Sequence, residues 1–435
     1  MALFEKESRI IEAADPIDAK GKIEKIIGLV IESTGPSDDI GTVCKIYNSK
    51  NTGYILAEIV GFKDERVLLM PYQELTGIVK GSLVESTGNL LRVPVGESLI
   101  GRVIDGFGNP IDGKGPIETS RYYPVQGTPS NPLLRPQIDE RITMGIKAID
   151  GLLTVGKGQR MGIFAGSGVG KSTLMGMISR NIEADVNVIA LVGERGREVR
   201  GFIEKDLKEE GMKRSVLVVA TSDQPAMMRL KCAQTATAIA EYFKDQGKDV
   251  LLMMDSLTRF AMAQREIGLA TGEPPVARGY TPSLYALLPK LLERTGKFEK
   301  GSITGIYTVL VEGDDVNEPI SDTVRGILDG HIVLSRNIAM RNHYPAIDVL
   351  VSISRLMNEI TDPEHLQLAA RVRQIMSVYY ENYDLISIGA YKMGTNPRID
   401  DAIHRIDRIN AFLRQGIDEK FSFEETLDLM KELVK

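Results

Sequence analysis

Three textures of apolar and polar residues follow one another along the chain. From Lys22 to about Val93, short β-like runs such as Ile26–Ile31, Thr42–Ile46, Tyr54–Val60 and Arg66–Met70 are broken by Gly, Pro, Asn and Asp. So many short strands in so few residues predict a small barrel or sandwich. From about 140 to 360 the pattern changes to near-continuous apolar runs: Met161–Ala165, Val186–Val192, Val216–Ala220, Val250–Asp255, Thr304–Val311 and His331–Ser335. Runs of that kind suit parallel strands covered on both faces. Between them lie helical stripes, one through Met228, Cys232, Ala236, Ile239 and Phe243, another through Leu284, Leu287, Leu288, Leu291 and Leu292. Beyond about 362 the spacing is helical to the end, and Ser422-x-x-Glu425 reads as a capping box before the last helix.

These textures predict an N-terminal tail over 1–21 and a β-barrel domain over 22–93. An α/β domain with a turn-rich connector follows over 94–362, and a helical domain over 363–435. The fold class is α/β, with a parallel-sheet central domain between the barrel and the helical end.

Composition narrows the possibilities. A net charge of −6 over 435 residues gives no bulk attraction to nucleic acid. Cys44 and Cys232 are far apart and lack metal-ligand spacing, so buried thiols in a reducing cytoplasm fit best. No stretch reaches the roughly 18–20 apolar residues of a membrane span, and the acidic start does not resemble a signal peptide. Association with a membrane is therefore expected to go through partners.

The chemistry begins at Ala165-Gly166-Ser167-Gly168-Val169-Gly170-Lys171-Ser172, between an apolar strand and a helix. Glycines there let backbone N–H groups turn inward around a phosphate, and the helix start adds its positive dipole end. Lys171 can reach terminal phosphates and Ser172 can hold Mg2+. Alanine at the first position departs from the strict glycine pattern. Asp255 closes an apolar strand, where it can serve the metal; a helix cap is its plainer alternative. Glu194 and Arg195 directly follow another strand and would face the same crevice. Glu194 could accept a proton from water and Arg195 could contact the γ-phosphate, unless the run is a solvated loop. Arg355, late in the chain, is not obviously near its own phosphates. It suits a surface arginine, or a finger entering a neighbour's site in a ring.

The central region resembles the catalytic family of the rotary ATPases. The matching pieces are Ala165–Ser172, Gly193–Arg195, Leu251–Asp255 with Arg259, Tyr344–Asp348 and Ser352–Arg355. Within it, Val311–Pro319 and Arg325–His331 resemble the type III secretion branch, the flagellar export ATPases more than the virulence injectisome ATPases. The resemblance implies that 94–362 is a RecA-like P-loop nucleotide-binding domain and that the chain is an ATPase that uses ATP and Mg2+. Lys171 would bind the β- and γ-phosphates, Glu194 would be the catalytic carboxylate, and Arg355 would act in trans. It implies that Tyr344 stacks on adenine; a core tyrosine before a proline turn is its plainer alternative. Tyr379, Tyr380 or Tyr383 could complete that pocket. It also implies a homo-hexamer at the inner face of the cell membrane, with a central coiled-coil stalk protein, a peripheral regulator and an export gate as partners. Glu273–Pro282 would meet the stalk, and the tail, with Leu3, Phe4, Ile10 and Ile11, would be a partner site. Two other classes compete. A non-catalytic subunit would carry an amide at position 194. A ring helicase would need interleaved aromatic and basic residues, whereas Tyr47, Tyr54, Phe62 and Tyr72 are scattered.

Overall fold

A computed structural model describes residues 20–49, 52–311 and 318–435. Most of the N-terminal tail and most of Val311–Pro319 lie outside the described residues. The chain divides into two units, one running through Leu91 with residues 225–228 and 266–274, the other comprising the rest.

The first unit contains β1 (Lys20–Ile27), β2 (Val30–Ser33), β3 (Thr42–Tyr47), β4 (Tyr54–Lys63), β5 (Arg66–Pro71) and β6 (Leu83–Leu90). They close as an antiparallel barrel in the order β1-β2-β5-β4-β3-β6. The closing pair sets Lys20 against Glu85 and Lys22 against Leu83. That pairing makes a barrel rather than a sandwich and leaves no open edge. Its interior holds Ile23, Ile31, Cys44, Ile46, Ala57, Ile59, Leu69 and Val84. Burial pushes the Cys44 thiol up to about 12, so it stays protonated.

The second unit is built on one sheet. Its strands are β7 (Val103–Asp105), β8 (Arg160–Ala165), β9 (Val186–Glu194), β10 (Ser215–Thr221), β11 (Asp249–Asp255), β12 (Ser302–Leu310), β13 (Gly330–Leu334) and β14 (Ile353–Ser354). The order is β14-β13-β8-β12-β11-β9-β10-β7. All neighbours on this path are parallel except β13 and β14. All six apolar runs are strands, each within two residues of its sequence-based bounds at either end. The connector holds a surprise: Val103–Asp105 pairs with Leu217–Val219 as the outermost strand. Three residues are too few for a periodic signal.

Helix α1 (Lys171–Asn181) follows β8. At its far end the Arg214 guanidinium donates to the carbonyls of Ser179, Arg180, Ile182 and Ala184 at 2.8–3.2 Å. A cation there satisfies the end-of-helix carbonyls and complements the dipole. Helices α2 (Ala226–Asp245), α3 (Leu257–Ala270) and α4 (Pro282–Leu292) alternate with the later strands.

The chain ends in α5 (Pro363–Glu381), α6 (Pro397–Leu413) and α7 (Phe423–Val434). The capping box forms: the Ser422 hydroxyl accepts from Glu425 N at 3.1 Å, and the Glu425 carboxylate accepts from Ser422 N at 2.7 Å. These helices share one core with the sheet, in which Val372, Ile406, Phe412 and Met430 join Met175, Ile178, Ile189 and Met253. Buried Gln415 fastens the seam, accepting from Lys147 N at 2.9 Å and donating to Gly145 O at 2.8 Å.

Candidate active site

Parallel strands bring their C-terminal ends to one side, so Ala165, Glu194 and Asp255 finish along one edge of the sheet. Ala165 is the last residue of β8, and its carbonyl accepts from Val311 N at 3.0 Å. It is extended strand and needs no glycine, which explains the departure at the first position. Left-handed geometry falls instead on Gly168 (φ +79°) and Gly170 (φ +89°). A Cβ on Gly170 would also stand 3.4 Å from the Tyr344 ring. Val169 is buried and pins the loop to the core, while Ser167 and Gly168 are exposed. Gly170 precedes α1 with no side-chain cap, so the first N–H groups of that helix stay available to an anion.

A cavity of about 700 Å3 opens over this loop, lined by Gly166–Gly168, Gly170–Thr173 and residues from the ends of β9 and β12. At its floor Lys171 Nζ is ion-paired with Asp255 and stands 3.7 Å from Glu194 Oε1. Asp255 also accepts from the Thr308 hydroxyl at 2.6 Å. One lysine thus faces two carboxylates in a mostly buried setting. Burial, and then the Asp255 charge, raise the Glu194 carboxyl to about 7, against the opposing pull of Lys171. A carboxyl titrating there is suited to taking a proton near neutral pH.

Ser172 is exposed at the cavity wall. Its hydroxyl and the carboxylates of Asp255 and Glu194 are hard oxygen donors, the class Mg2+ prefers. Among the described residues no group of three or more His, Cys, Asp or Glu could hold a metal alone. A divalent ion here would complete its shell with phosphate and water oxygens, as Mg2+ does in nucleotide sites.

Arg195 lines the cavity but is largely exposed, 3.6 Å from Glu198. Arg259, noted in the sequence only as part of a motif, lies in the first turn of α3 and also lines it. Gly193 makes room for it: a Cβ there would stand 3.0 Å from Arg259 Cβ. Among the described residues the buried Arg259 Nε has no hydrogen-bond partner. Its signal was available, four residues after Asp255 and one turn into the following helix. Glu198 and Arg336, which line the cavity, and Thr308, inside β12, were not anticipated, since single polar residues at such places carry no pattern.

Tyr344 lies against the loop through Gly170 and borders a 310 Å3 cavity with Asn342, Arg414, Gln415, Gly416 and Glu419. Gln415 N donates to its carbonyl at 3.0 Å. Tyr379, Tyr380 and Tyr383 instead pack on one another, centroids 5.4–6.0 Å apart, and line neither cavity.

Arg355 is not brought to this cavity. It follows β14, and its N–H donates to Asp329 O at 3.0 Å. Asp329 pairs with Arg160, the first residue of β8. Arg355 therefore lies at the start of the strand whose end carries the phosphate loop, roughly 17 Å along the sheet.

A family model described as "ATP synthase alpha/beta family, nucleotide-binding domain" matches residues 145–354, and that family's beta-barrel domain matches 23–88. The "Flagellum-specific ATP synthase" of Bacillus subtilis (strain 168) is 58% identical over 424 residues, 97% of each chain. The chain belongs to the ATP synthase alpha/beta family. Residues 361–432 match the model described as "T3SS EscN ATPase C-terminal domain". The assembled ATPase EscN of the enteropathogenic E. coli type III secretion system has a TM-score of 0.91 at 47% identity, covering 95% of this chain and 100% of its own. EscN in complex with its central stalk EscO gives 0.88 at 46%, with the same coverage.

Proposed function

We propose that this protein is the Mg-ATP-hydrolysing subunit of a flagellar type III protein export apparatus. The observation that carries the chemistry is the meeting of Lys171, Glu194 and Asp255 beneath a glycine-rich loop. The loop N–H groups and Lys171 hold the nucleotide's β- and γ-phosphates. Ser172 and Asp255 hold Mg2+, which when bound neutralises phosphate charge. Glu194 orients the attacking water and accepts its proton. Arg195 reaches the γ-phosphate from the cavity rim, and Tyr344 receives the adenine face. Arg355 serves the site of an adjoining copy, for its distance from Lys171 leaves it no role in its own.

The relatives support the biological setting. Identity of 58% to a flagellar protein, against 51% to a type 3 secretion system ATPase of Xanthomonas euvesicatoria and 47% to EscN, favours flagellar export over the injectisome. The assembled EscN and its complex with a central stalk support a ring, in our reading a homo-hexamer around a coiled-coil stalk, met by Glu273–Pro282. A peripheral regulator and an export gate complete the partners. No described helix is long and apolar enough to cross a membrane, so attachment to the inner face of the cell membrane goes through those partners.

The experiment is Glu194→Gln, with nucleotide binding and turnover measured on the same sample. Binding stays within a few-fold of the parent and turnover falls by about 100-fold or more. Turnover near the parent's removes Glu194 from its role.

A further inference from the structure

Arg355 leaves the sheet from a two-residue edge strand, and one buried amide is bonded to that strand's last residue. Gln159, immediately before β8, is fully buried. Its Oε1 accepts from Gly156 N at 2.8 Å. Its Nε2 donates to Ser354 Oγ at 3.0 Å and to the Asp329 carbonyl at 3.1 Å. That carbonyl also receives the Arg355 N–H at 3.0 Å. The Ser354 hydroxyl in turn donates to Thr154 O at 2.7 Å.

Asp329 is itself gripped. Arg160 donates to its carboxylate through Nε at 2.9 Å, Nη2 at 3.0 Å and its own N–H at 3.0 Å. Asp329 N returns a bond to Arg160 O at 2.9 Å. A two-pronged guanidinium–carboxylate pair fixes orientation as well as distance. Ser354, which precedes the arginine, and Asp329, which accepts its N–H, are therefore held by Gln159 and Arg160, where the chain enters β8. The same strand closes in Ala165 and the phosphate loop.

We infer that Gln159, Ser354 and Asp329 are positioning residues for Arg355: they set where the guanidinium projects, and so govern turnover in the adjoining copy's pocket rather than in the chain's own. The inference rests on the trans role proposed for Arg355. Its physical ground is that a hydrogen-bond donor matched to a transition state loses most of its effect when displaced by about 1 Å.

The test is complementation between defective chains. Ser354→Ala removes both hydroxyl bonds, and Gln159→Met removes the amide while keeping side-chain length. Each alone lowers kcat by about 10–100-fold with KM for ATP little changed. Each is then mixed with Glu194→Gln, which cannot turn over but carries an intact Arg355. Ser354→Ala and Gln159→Met chains have sound pockets that lack only a well-aimed arginine from next door. Turnover in the mixture rises several-fold above that of either chain alone. If the network only holds the fold together, the damaged pocket stays damaged and mixing restores nothing. That result overturns the inference, as does a parental kcat for both variants. Arg355→Ala is the control. If it too fails to be rescued, or needs no rescue, the trans role falls and this inference with it. If it is rescued while Ser354→Ala and Gln159→Met are not, only the positioning network is refuted.

Discussion

Glu194 shows at the scale of one residue what a sequence can and cannot convey. Its place after a parallel strand was legible, because such strands all end on one side. Its titration near 7 was not, because that depends on burial and on Asp255, which lies 61 residues later in the chain. The consequence for rate has a definite sign. In the proposed role the carboxylate is the active form, so kcat/KM for ATP, which reports the free enzyme's groups, rises with pH through about 7. A flat profile between pH 5.5 and 8.5 would contradict this. The sign for stability is opposite. Between the ordinary 4.5 and about 7 the native state keeps a proton that the unfolded chain has released. Stability from this group is thus lost as pH rises through that window. Glu194→Gln, with no charge to bury, should melt above the parent by about 2 °C at pH 8, the gap closing towards pH 5.

Among the elements, the buried strands were the most readable, since β8 to β12 are apolar almost throughout and bounded by glycine or charge. The strand Val103–Asp105 was hidden in a turn-rich stretch because it is short and lies at the edge. Tyr344 was placed by a motif, yet the side of the pocket it shares with Arg414 and Gln415 arises from chain 70 residues later and had no local signature. The turn from β8 into α1 makes a prediction of its own. Gly170→Ala forces a side chain into φ +89° against the Tyr344 ring. It should cost about 1–2 kcal/mol and weaken nucleotide binding about 10-fold or more, read by denaturant unfolding and by titration with nucleotide. At the other end of α1, Arg214→Ala strips a cation from four carbonyls. Stability should fall by about 2–4 kcal/mol, with KM for ATP less affected than in Gly170→Ala.

At the scale of the whole molecule, one chain gathers Lys171, Glu194 and Asp255 beneath a glycine-rich loop at the end of β8 and holds Arg355, bonded to Asp329, beside the start of that strand. The shared core beneath α1 and the C-terminal helices joins the nucleotide region and the helical end in one packed body. The barrel's closure leaves it no strand edge to offer. A pocket completed by a second copy must depend on encounter, and that dependence is the direct test. Specific ATPase activity of the purified chain should be measured across a wide dilution series, alongside its oligomeric state. The account predicts that turnover per subunit climbs with concentration in step with assembly and collapses on dilution. A monomer that hydrolyses ATP at full rate at every concentration would contradict it.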